Sequence, residues 1–345
     1  MFNPGVIRQL AKDHYQTFMK LQAVEKRLKA RFADMDEVVD ALILSVTSGE
    51  PLLLVGPPGT GKSRLIRAFC GLTGLLDEDD PGAKENGDYF EYLLTPFTEP
   101  GELFGFYDIS AAMEKKELVR MEKGMMQHAK VVYLDEVFNG SSAILNSLLA
   151  FMNERVFHDR NRRVGVALQC LFAATNHVPE SPELRAIFDR FLLRCHLWNA
   201  IAKPKAIEQL LHKGWRETYS HHPKTEIFHD LFKRLEVFRL HIKKFTDSQL
   251  LIMAEKNTFF YKGLAQHVEA ARSYELSEMS NRRLVKMIHV MLIHRVYQAA
   301  CSGEFKHRKD IELGADQLAL LPRYFLDRED EAVERQMVTA AHEVS

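Results

Sequence analysis

The segment LLLVGPPGTGKS at residues 52–63 constrains the fold of this chain more than any other stretch. Four apolar residues typical of a buried strand run into a glycine-rich loop, and Lys62 and Ser63 then open a run with helical spacing. Glycines let the backbone N–H groups of such a loop turn inward, and the following helix adds the positive end of its dipole. The order strand, loop, helix therefore predicts a cradle for phosphate groups rather than a chance Gly/Pro turn.

Short apolar runs alternate with helical patterns on both sides of this loop. The runs are LLLVG, YFEYLL, VVYLDE, LQCLFAAT and FLLRCHLW. Strands that are apolar on both faces are typical of a parallel sheet covered by helices. The alternation predicts an α/β fold, a doubly wound parallel five-stranded sheet, over residues 35–200. Beyond it only helical patterns continue, which predicts an all-helical lid over residues 201–330.

The two ends of the chain carry helical patterns of their own. Apolar residues recur at helical spacing from Val6 to Leu28, so residues 1–34 are predicted to form a helical extension built on one long amphipathic helix. Residues 331–345 are rich in charge and predict a charged C-terminal tail.

Composition narrows the class of protein. The 46 basic and 47 acidic side chains nearly cancel, which argues against a non-specific electrostatic binder of nucleic acid. The four cysteines show no CxxC spacing and favour buried, reduced thiols over a zinc site or a disulfide framework. No apolar run approaches the roughly 20 residues of a membrane span. We therefore expect a soluble, cytoplasmic protein.

The predicted cradle and the strand VVYLDE together indicate hydrolysis of a nucleotide. The expected phosphate contacts come from Gly56, Pro57, Pro58, Gly59, Thr60, Gly61, Lys62, Ser63 and Arg64. Lys62 is expected on the β- and γ-phosphates, and the Ser63 hydroxyl on Mg²⁺. Asp135 is placed to hold Mg²⁺ through water, and Glu136 to polarise an attacking water. A carboxylate committed to water distinguishes such a site from that of a kinase.

Two further polar features follow in the chain. Asn176 follows the apolar run LFAAT, where it is placed to orient the water, to contact the γ-phosphate or to cap a turn. The stretch FDRFLLR offers Arg190 and Arg194. Arg190 lies between a short helix and a strand, so we expect it either to reach the nucleotide of a neighbouring subunit or to form a surface ion pair.

These motifs resemble those of AAA+ ATPases in order and spacing: Walker A GPPGTGKS, Walker B VVYLDE, sensor 1 AATN and the arginine-finger context FDRF. FEYLLTPFTEPGELFG and AILNSLLAFMNERVF are similar to segments of the MoxR group, closest to its RavA-like branch. The resemblance implies a helix-2 insert at about 98–128 and a hairpin before sensor 1 at about 155–167. It also implies a homo-oligomeric ring, usually a hexamer, that remodels a protein client in a chaperone-like manner and often works with a von Willebrand factor A-domain protein.

The same resemblance places a sensor 2 arginine in MSNRRLVKM, either Arg282 or its neighbour Arg283, on the γ-phosphate. The leading hypothesis is thus Mg²⁺-dependent ATP hydrolysis by a ring-forming motor, with Glu136, Asn176, Arg190 and Arg282 as catalytic residues. Two alternatives stay open: a nucleotide-gated assembly module with little turnover, and a GTP-driven nucleic-acid translocase.

Overall fold

The structure is a computed structural model that describes residues 3–78, 87–110, 113, 118–159, 162–198, 204–219, 227–245, 258–307 and 311–328. The chain divides into two compact units that are each discontinuous in sequence. Unit 1 comprises Met1–Ser48, Leu192–His196 and Asp230–Ser345, and unit 2 comprises Gly49–Phe191 and Leu197–His229. The domain boundaries proposed from the sequence stay a prediction, and the charged tail at 331–345 lies outside the described residues.

The described strands are β1 Leu52–Val55, β2 Tyr89–Leu93, β3 Val131–Asp135, β4 Val156–Asp159, β5 Arg162–Gly165, β6 Cys170–Thr175 and β7 Leu193–His196. The described α-helices are α1 Pro4–Asp13, α2 Tyr15–Arg31, α3 Asp36–Ser48, α4 Lys62–Leu72, α5 Pro100–Phe104, α6 Ser142–Glu154, α7 Pro182–Phe188, α8 Pro204–Tyr219, α9 Leu231–Lys243, α10 Thr258–Ser273, α11 Asn281–Ser302, α12 Ala315–Leu318 and α13 Leu320–Tyr324. Among the described residues no helix combines the length and the apolar character needed to cross a bilayer.

Five strands form one sheet in the order β2–β3–β6–β1–β7, and β4 pairs with β5 in a separate antiparallel hairpin. β6 pairs in parallel with both β1 and β3, and β2 pairs in parallel with β3. This arrangement confirms the predicted α/β fold with its five-stranded parallel sheet. The hairpin strands are β4 Val156–Asp159 and β5 Arg162–Gly165.

The centre of the sheet is buried on both faces. Every residue of β1 and of β6 is buried, as expected for parallel strands covered by helices on each side. Phe172 of β6 is fully buried and packs edge-on against Phe69 of α4, with ring centroids 6.2 Å apart. The helix after the phosphate loop is thereby fixed to the middle of the sheet.

The prediction of one long N-terminal helix is wrong. The segment forms α1 and α2, which are separated at His14, where φ is −107° and ψ is 15°. The imidazole of His14 is largely buried, its Nε2 lies 2.9 Å from Nδ1 of His241, and its ring packs edge-on against Phe238. These contacts within unit 1 favour a bend that apolar periodicity alone does not reveal.

We predict that Phe172→Ala lowers the free energy of unfolding of unit 2 by about 3–5 kcal/mol, because it removes a fully buried ring from a close-packed core. Chemical denaturation checks this value. Phe97 is 90% exposed, so Phe97→Ala serves as the matched control and should change stability by less than about 0.5 kcal/mol. Equal losses in the two variants would contradict the assignment of Phe172 to the core.

Candidate active site

The glycine-rich loop between β1 and α4 has a conformation that requires glycine at three positions. Gly59 and Gly61 have φ values of 83° and 86°, in the left-handed region that side chains rarely adopt. A Cβ on Gly56 would lie 2.5 Å from the backbone oxygen of Leu197. The loop is thus closely packed at its start and free to turn its backbone N–H groups inward at its end.

Lys62 is the first residue of α4, directly after this loop, and is largely buried. Its Nζ donates to the carbonyl oxygens of Gly56 at 2.6 Å and Pro57 at 3.0 Å. Burial lowers the pKa of Lys62, while Asp135 and Glu136 act in the opposite direction. The ammonium group is therefore held against the loop, and its hydrogen bonds within the described part of the chain go to neutral carbonyl oxygens, which suits an anionic ligand such as a phosphate.

The next two residues differ in their surroundings. Ser63 is half-buried in the first turn of α4. The side chain of Arg64 is exposed, and its guanidinium donates to the hydroxyl of Thr218 in α8 at 2.8 Å. Ser63 is thus half-enclosed at the start of α4, whereas the guanidinium of Arg64 is bonded to another helix.

The parallel register brings the polar strand ends together. Val55 of β1 pairs with Thr175 of β6, and Leu134 of β3 pairs with Ala173 of β6. The N–H of Gly56 also donates to the carbonyl oxygen of Thr175 at 3.0 Å. The phosphate loop, the carboxylates after β3 and the amide after β6 therefore lie along one edge of the sheet, where open α/β folds bind their ligands.

Asn176 and Glu136 are in direct contact at this edge. Asn176 Nδ2 donates to Glu136 Oε1 at 2.5 Å, and the backbone N–H of Glu136 donates to Asp135 Oδ1 at 3.0 Å. Glu136 has a φ of 50°, a left-handed conformation that strains a residue with a side chain by about 1–3 kcal/mol. Such strain persists only where the surroundings impose it, and the bond from Asn176 holds the Glu136 carboxylate in place.

The oxygen of the Asn176 side-chain amide differs from the nitrogen in its hydrogen bonding. Its Oδ1 is buried and has no hydrogen-bond partner among the described residues. A buried polar atom without a partner carries a desolvation cost that a ligand or a water would relieve. The site thus presents an acceptor next to the carboxylate of Glu136.

The two candidate trans arginines have different environments. Arg190 lies between α7 and β7, keeps 30% of its side chain exposed, and is 3.4 Å from Asp189. Arg194 lies in β7, is only 1% exposed, and forms an ion pair with Asp327. Arg190 is therefore the more accessible of the two.

The two candidate sensor 2 arginines also differ in the exposure of their side chains. Arg283 is 5% exposed and donates to Asp327 at 2.7 Å, to Ser277 at 2.9 Å and to the carbonyl oxygen of Phe325 at 2.7 Å. Arg282, next to it at the start of α11, is exposed. Arg282 and Arg283 belong to unit 1, whereas the loop, Asp135, Glu136, Asn176 and Arg190 belong to unit 2.

Asp327 was not among the residues expected from the sequence. Burial acts to raise its pKa, but the flanking Arg194 and Arg283 outweigh burial and hold the pKa below its usual value. The carboxylate is therefore ionised beside two guanidinium groups. Nothing in the stretch FLDRED distinguishes this aspartate from a surface residue, because its partners lie 44 and 133 positions away in the chain.

Arg120 forms a second connection that sequence reasoning missed, between the predicted insert and the β4–β5 hairpin. It forms an ion pair with Asp159 at 3.0 Å, donates to the hydroxyl of Tyr107 at 2.8 Å, and bonds the carbonyl oxygen of Gly105. The rings of Phe104 and Phe157 stack with centroids 4.3 Å apart beside it. The insert and the hairpin are thus joined by both polar and apolar contacts.

The fold and the polar edge of the sheet define a phosphate-loop nucleotide-binding protein of the AAA+ ATPase class. Within that class, residues 19–237 match the model of the family described as the MoxR domain in the MoxR-vWA-beta-propeller ternary systems. The match covers more than half of the chain. The protein therefore belongs to the MoxR family of AAA+ ATPases.

The curated relatives share the sequence over part of their length. Two uncharacterized proteins of Methanocaldococcus jannaschii are each 37% identical, over 175 and 174 residues, covering 51% and 50% of this chain and 43% of each relative. A structural protein of the Acidianus two-tailed virus is 28% identical over 184 residues, covering 51% of this chain and 28% of that protein. The chain thus spans less than half the length of the curated relatives it matches.

A solved structure from Cytophaga hutchinsonii, described as that of a candidate ATPase, superposes with a TM-score of 0.61. It covers 97% of this chain and 97% of its own, at 15% identity. At that level of identity the likeness supports the fold alone.

We predict that Asp327→Asn destabilises unit 1 by about 3–5 kcal/mol at pH 7, because it leaves two buried guanidinium groups without their carboxylate. Because the pKa of Asp327 is lowered in the folded protein, the loss of stability should also depend on pH. The stability that Asp327 contributes should be complete above its unfolded pKa of about 3.9 and should be lost as the pH falls through the lower folded value.

Thermal melts of the variant and the parent between pH 7 and pH 2 measure this effect. The gap between the two melting temperatures should be constant from pH 7 to pH 5 and should close below about pH 4. Asp36→Asn, a change of the same kind at an exposed position of unit 1, serves as the control and should show a small gap. A large gap that is independent of pH would exclude the ionised carboxylate as its cause.

Proposed function

We propose that this protein hydrolyses ATP with Mg²⁺ as a ring-forming motor of the MoxR type. The observation that carries the proposal is the contact of Asn176 with Glu136 at the sheet edge that also holds the phosphate loop. A phosphate cradle alone fits a switch or a kinase. A strained glutamate held by an amide, with a free acceptor beside it, fits the placement of an attacking water.

The residues present fit the nucleotide and its metal. Ser63 supplies a hydroxyl and Asp135 a carboxylate, which are the hard oxygen ligands that Mg²⁺ prefers. Bound Mg²⁺ would neutralise charge on the phosphate oxygens. Lys62, held against the loop, is placed to pair with those oxygens and to exchange its bonds with Gly56 and Pro57 for them. The backbone N–H groups of the loop would complete the cradle.

In this proposal Glu136 accepts a proton from water. Asn176 Nδ2 holds Oε1 of Glu136, so the second carboxylate oxygen is left to face the water. The unsatisfied Oδ1 of Asn176 can accept the other hydrogen of the same water and so fix its direction. Phosphoryl transfer depends mainly on positioning and charge stabilisation, which is what these two side chains provide.

The two candidate arginine pairs each contain one more accessible and one buried member. Arg190 is the accessible member of its pair, which supports a role on the nucleotide of a neighbouring subunit. Arg282 is the exposed member of the other pair, and its role on the γ-phosphate remains a prediction from the sequence. We propose structural roles for Arg194 and Arg283, since both are committed to Asp327.

The assembly and the partner are also proposals. The matching family is named for systems that combine a MoxR protein with von Willebrand factor A and β-propeller proteins. That name supports a von Willebrand factor A-domain partner for this chain. A hexameric ring, a chaperone-like action on a protein client, a cytoplasmic location and membership of the RavA-like branch remain predictions from the sequence.

We predict that Glu136→Gln binds ATP with an affinity within about threefold of the parent but loses 10²–10⁴-fold in turnover, because the amide cannot accept the proton. Binding is measured by calorimetry and turnover by phosphate release. Glu183→Gln, an exposed change on α7, is the matched control and should keep full turnover. Near-normal hydrolysis by Glu136→Gln would rule out Glu136 as the base.

The same assay separates the two alternative functions. A parent protein that assembles with ATP but turns over less than about once per hour would be a nucleotide-gated module. A preference for GTP together with salt-sensitive DNA binding would instead indicate a nucleic-acid translocase.

We predict that Arg190→Ala lowers turnover by about 10³-fold or more through loss of transition-state charge stabilisation in trans. Mixing Arg190→Ala with Glu136→Gln subunits should restore activity, because some sites then combine an intact glutamate with an intact arginine. Arg185→Ala, an exposed change in the last turn of α7, is the control. Failure of the mixture to regain turnover, with assembly intact, would exclude the role in trans.

A further inference from the structure

A cavity of about 970 Å³ lies within unit 1. Side chains of α2, α3 and α11 line it together with the stretch from Glu312 to Tyr324, and none of the lining residues belongs to the phosphate loop. The volume is in the upper part of the range of about 300–1,000 Å³ that is typical of ligand sites. The cavity is large enough for an organic molecule.

One side of the cavity contains two carboxylates that share one ammonium group. Lys29 bonds Glu25 Oε1 at 2.8 Å and also forms an ion pair with Asp40. Glu25 additionally accepts from the hydroxyl of Tyr297 at 2.5 Å. Burial raises the pKa of Asp40 to about 6, with Lys29 opposing the shift and Glu25 adding to it. A single ammonium group thus faces two carboxylates on this side of the cavity.

The other side of the cavity contains a chain of hydrogen-bonded neutral side chains that ends at a third carboxylate. Gln317 lies 3.2 Å from His294 and donates to Gln298 at 2.7 Å, and Gln298 donates to Asp316 at 3.3 Å. Burial lowers the pKa of His294 to about 4, so the imidazole adds no positive charge near pH 7. Tyr297 and Gln298 are consecutive in α11, so they connect this chain of hydrogen-bonded side chains to the carboxylate pair.

The whole lining carries more negative than positive charge. It contains five carboxylates, Glu25, Asp40, Glu304, Glu312 and Asp316, against three cationic side chains, Lys29, Arg295 and Arg323. Arg295 is bound by Glu304 at 2.7 Å and by the carbonyl oxygen of Glu312 at 2.6 Å. Apolar side chains such as Ile43 and Leu320 complete the lining. A ligand with separated positive charges on an apolar chain matches this pattern.

We propose that this cavity binds a small organic diamine or polyamine. One ammonium group bonds Asp40 beside Glu25, the carbon chain contacts the apolar part of the lining, and a second ammonium group bonds Asp316. The carboxylates come from three different helices, and Lys29 already occupies the space between two of them. An elongated organic cation fits this distribution better than a single metal ion, which needs converging oxygen ligands.

Isothermal titration calorimetry with putrescine and with spermidine, on the full chain without nucleotide, tests the proposal. We expect saturable binding that 1,4-butanediol and matched NaCl do not reproduce. A trilysine peptide distinguishes free amines from lysine side chains. Binding of the peptide without binding of either amine would overturn the proposal in favour of a protein ligand, and equal binding of the diol would also overturn it.

Variants assign the binding to the cavity. Asp40→Asn should weaken amine affinity about tenfold or more, because it replaces a charge-assisted hydrogen bond with a neutral one. Asp36→Asn, the same change at an exposed position of the same helix, should leave affinity within twofold. If Asp40→Asn fails to fold by circular dichroism, Glu25→Gln takes its place with the same expected loss. Unchanged affinity in the folded cavity variant would place the amine elsewhere and exclude this site.

Discussion

The parallel pairing of β6 with both of its neighbours in unit 2 determines where the polar residues of the candidate active site lie. Because β1 and β3 run in the same direction as β6, their carboxyl ends lie at the same edge, and the polar residues that follow them meet without long connections. The bond from Gly56 N–H to the Thr175 carbonyl extends this register by one residue into the phosphate loop. The contact of Asn176 with Glu136 then follows from the register. A change that shifted β6 by one residue would separate the amide from the carboxylate and reverse the faces of the strand.

Because the register of the parallel strands determines these positions, much of the fold could be predicted from the sequence. Strands buried on both faces give uninterrupted apolar runs, and a carboxylate or an amide at the end of such a run has a defined position once the sheet is parallel. The break at His14 could not be predicted, because α1 and α2 keep the same apolar spacing on both sides of it. His241, the partner that accompanies the bend, is separated from His14 by 227 positions in the chain. Contacts of this kind leave no local pattern.

Burial distinguishes charged residues that the sequence pattern alone does not distinguish. Arg282 and Arg283 are adjacent, and both lie at the start of α11, where the helix dipole disfavours a cation. Arg283 tolerates that position because Asp327, Ser277 and the Phe325 carbonyl bond its guanidinium. Since the same aspartate also bonds Arg194, one carboxylate holds two arginines in place within unit 1. A guanidinium committed in this way would have to give up a buried ion pair before it could reach a ligand.

In unit 2, a paired charge also joins the predicted insert to the β4–β5 hairpin. Arg120 bonds Asp159 of β4, Tyr107 and the Gly105 carbonyl, while Phe104 stacks on Phe157. Gly105 adopts a φ of 93°, and a Cβ there would lie 2.0 Å from the Met121 carbonyl oxygen, so the base of the insert is closed by its own backbone. A displacement of the insert away from the hairpin therefore breaks an ion pair and a ring stack together. The chain continues after β5 into β6, the strand that precedes Asn176. Exposed apolar side chains, among them Phe106 and Ile109, thus belong to a predicted insert that contacts a hairpin followed in the chain by this strand.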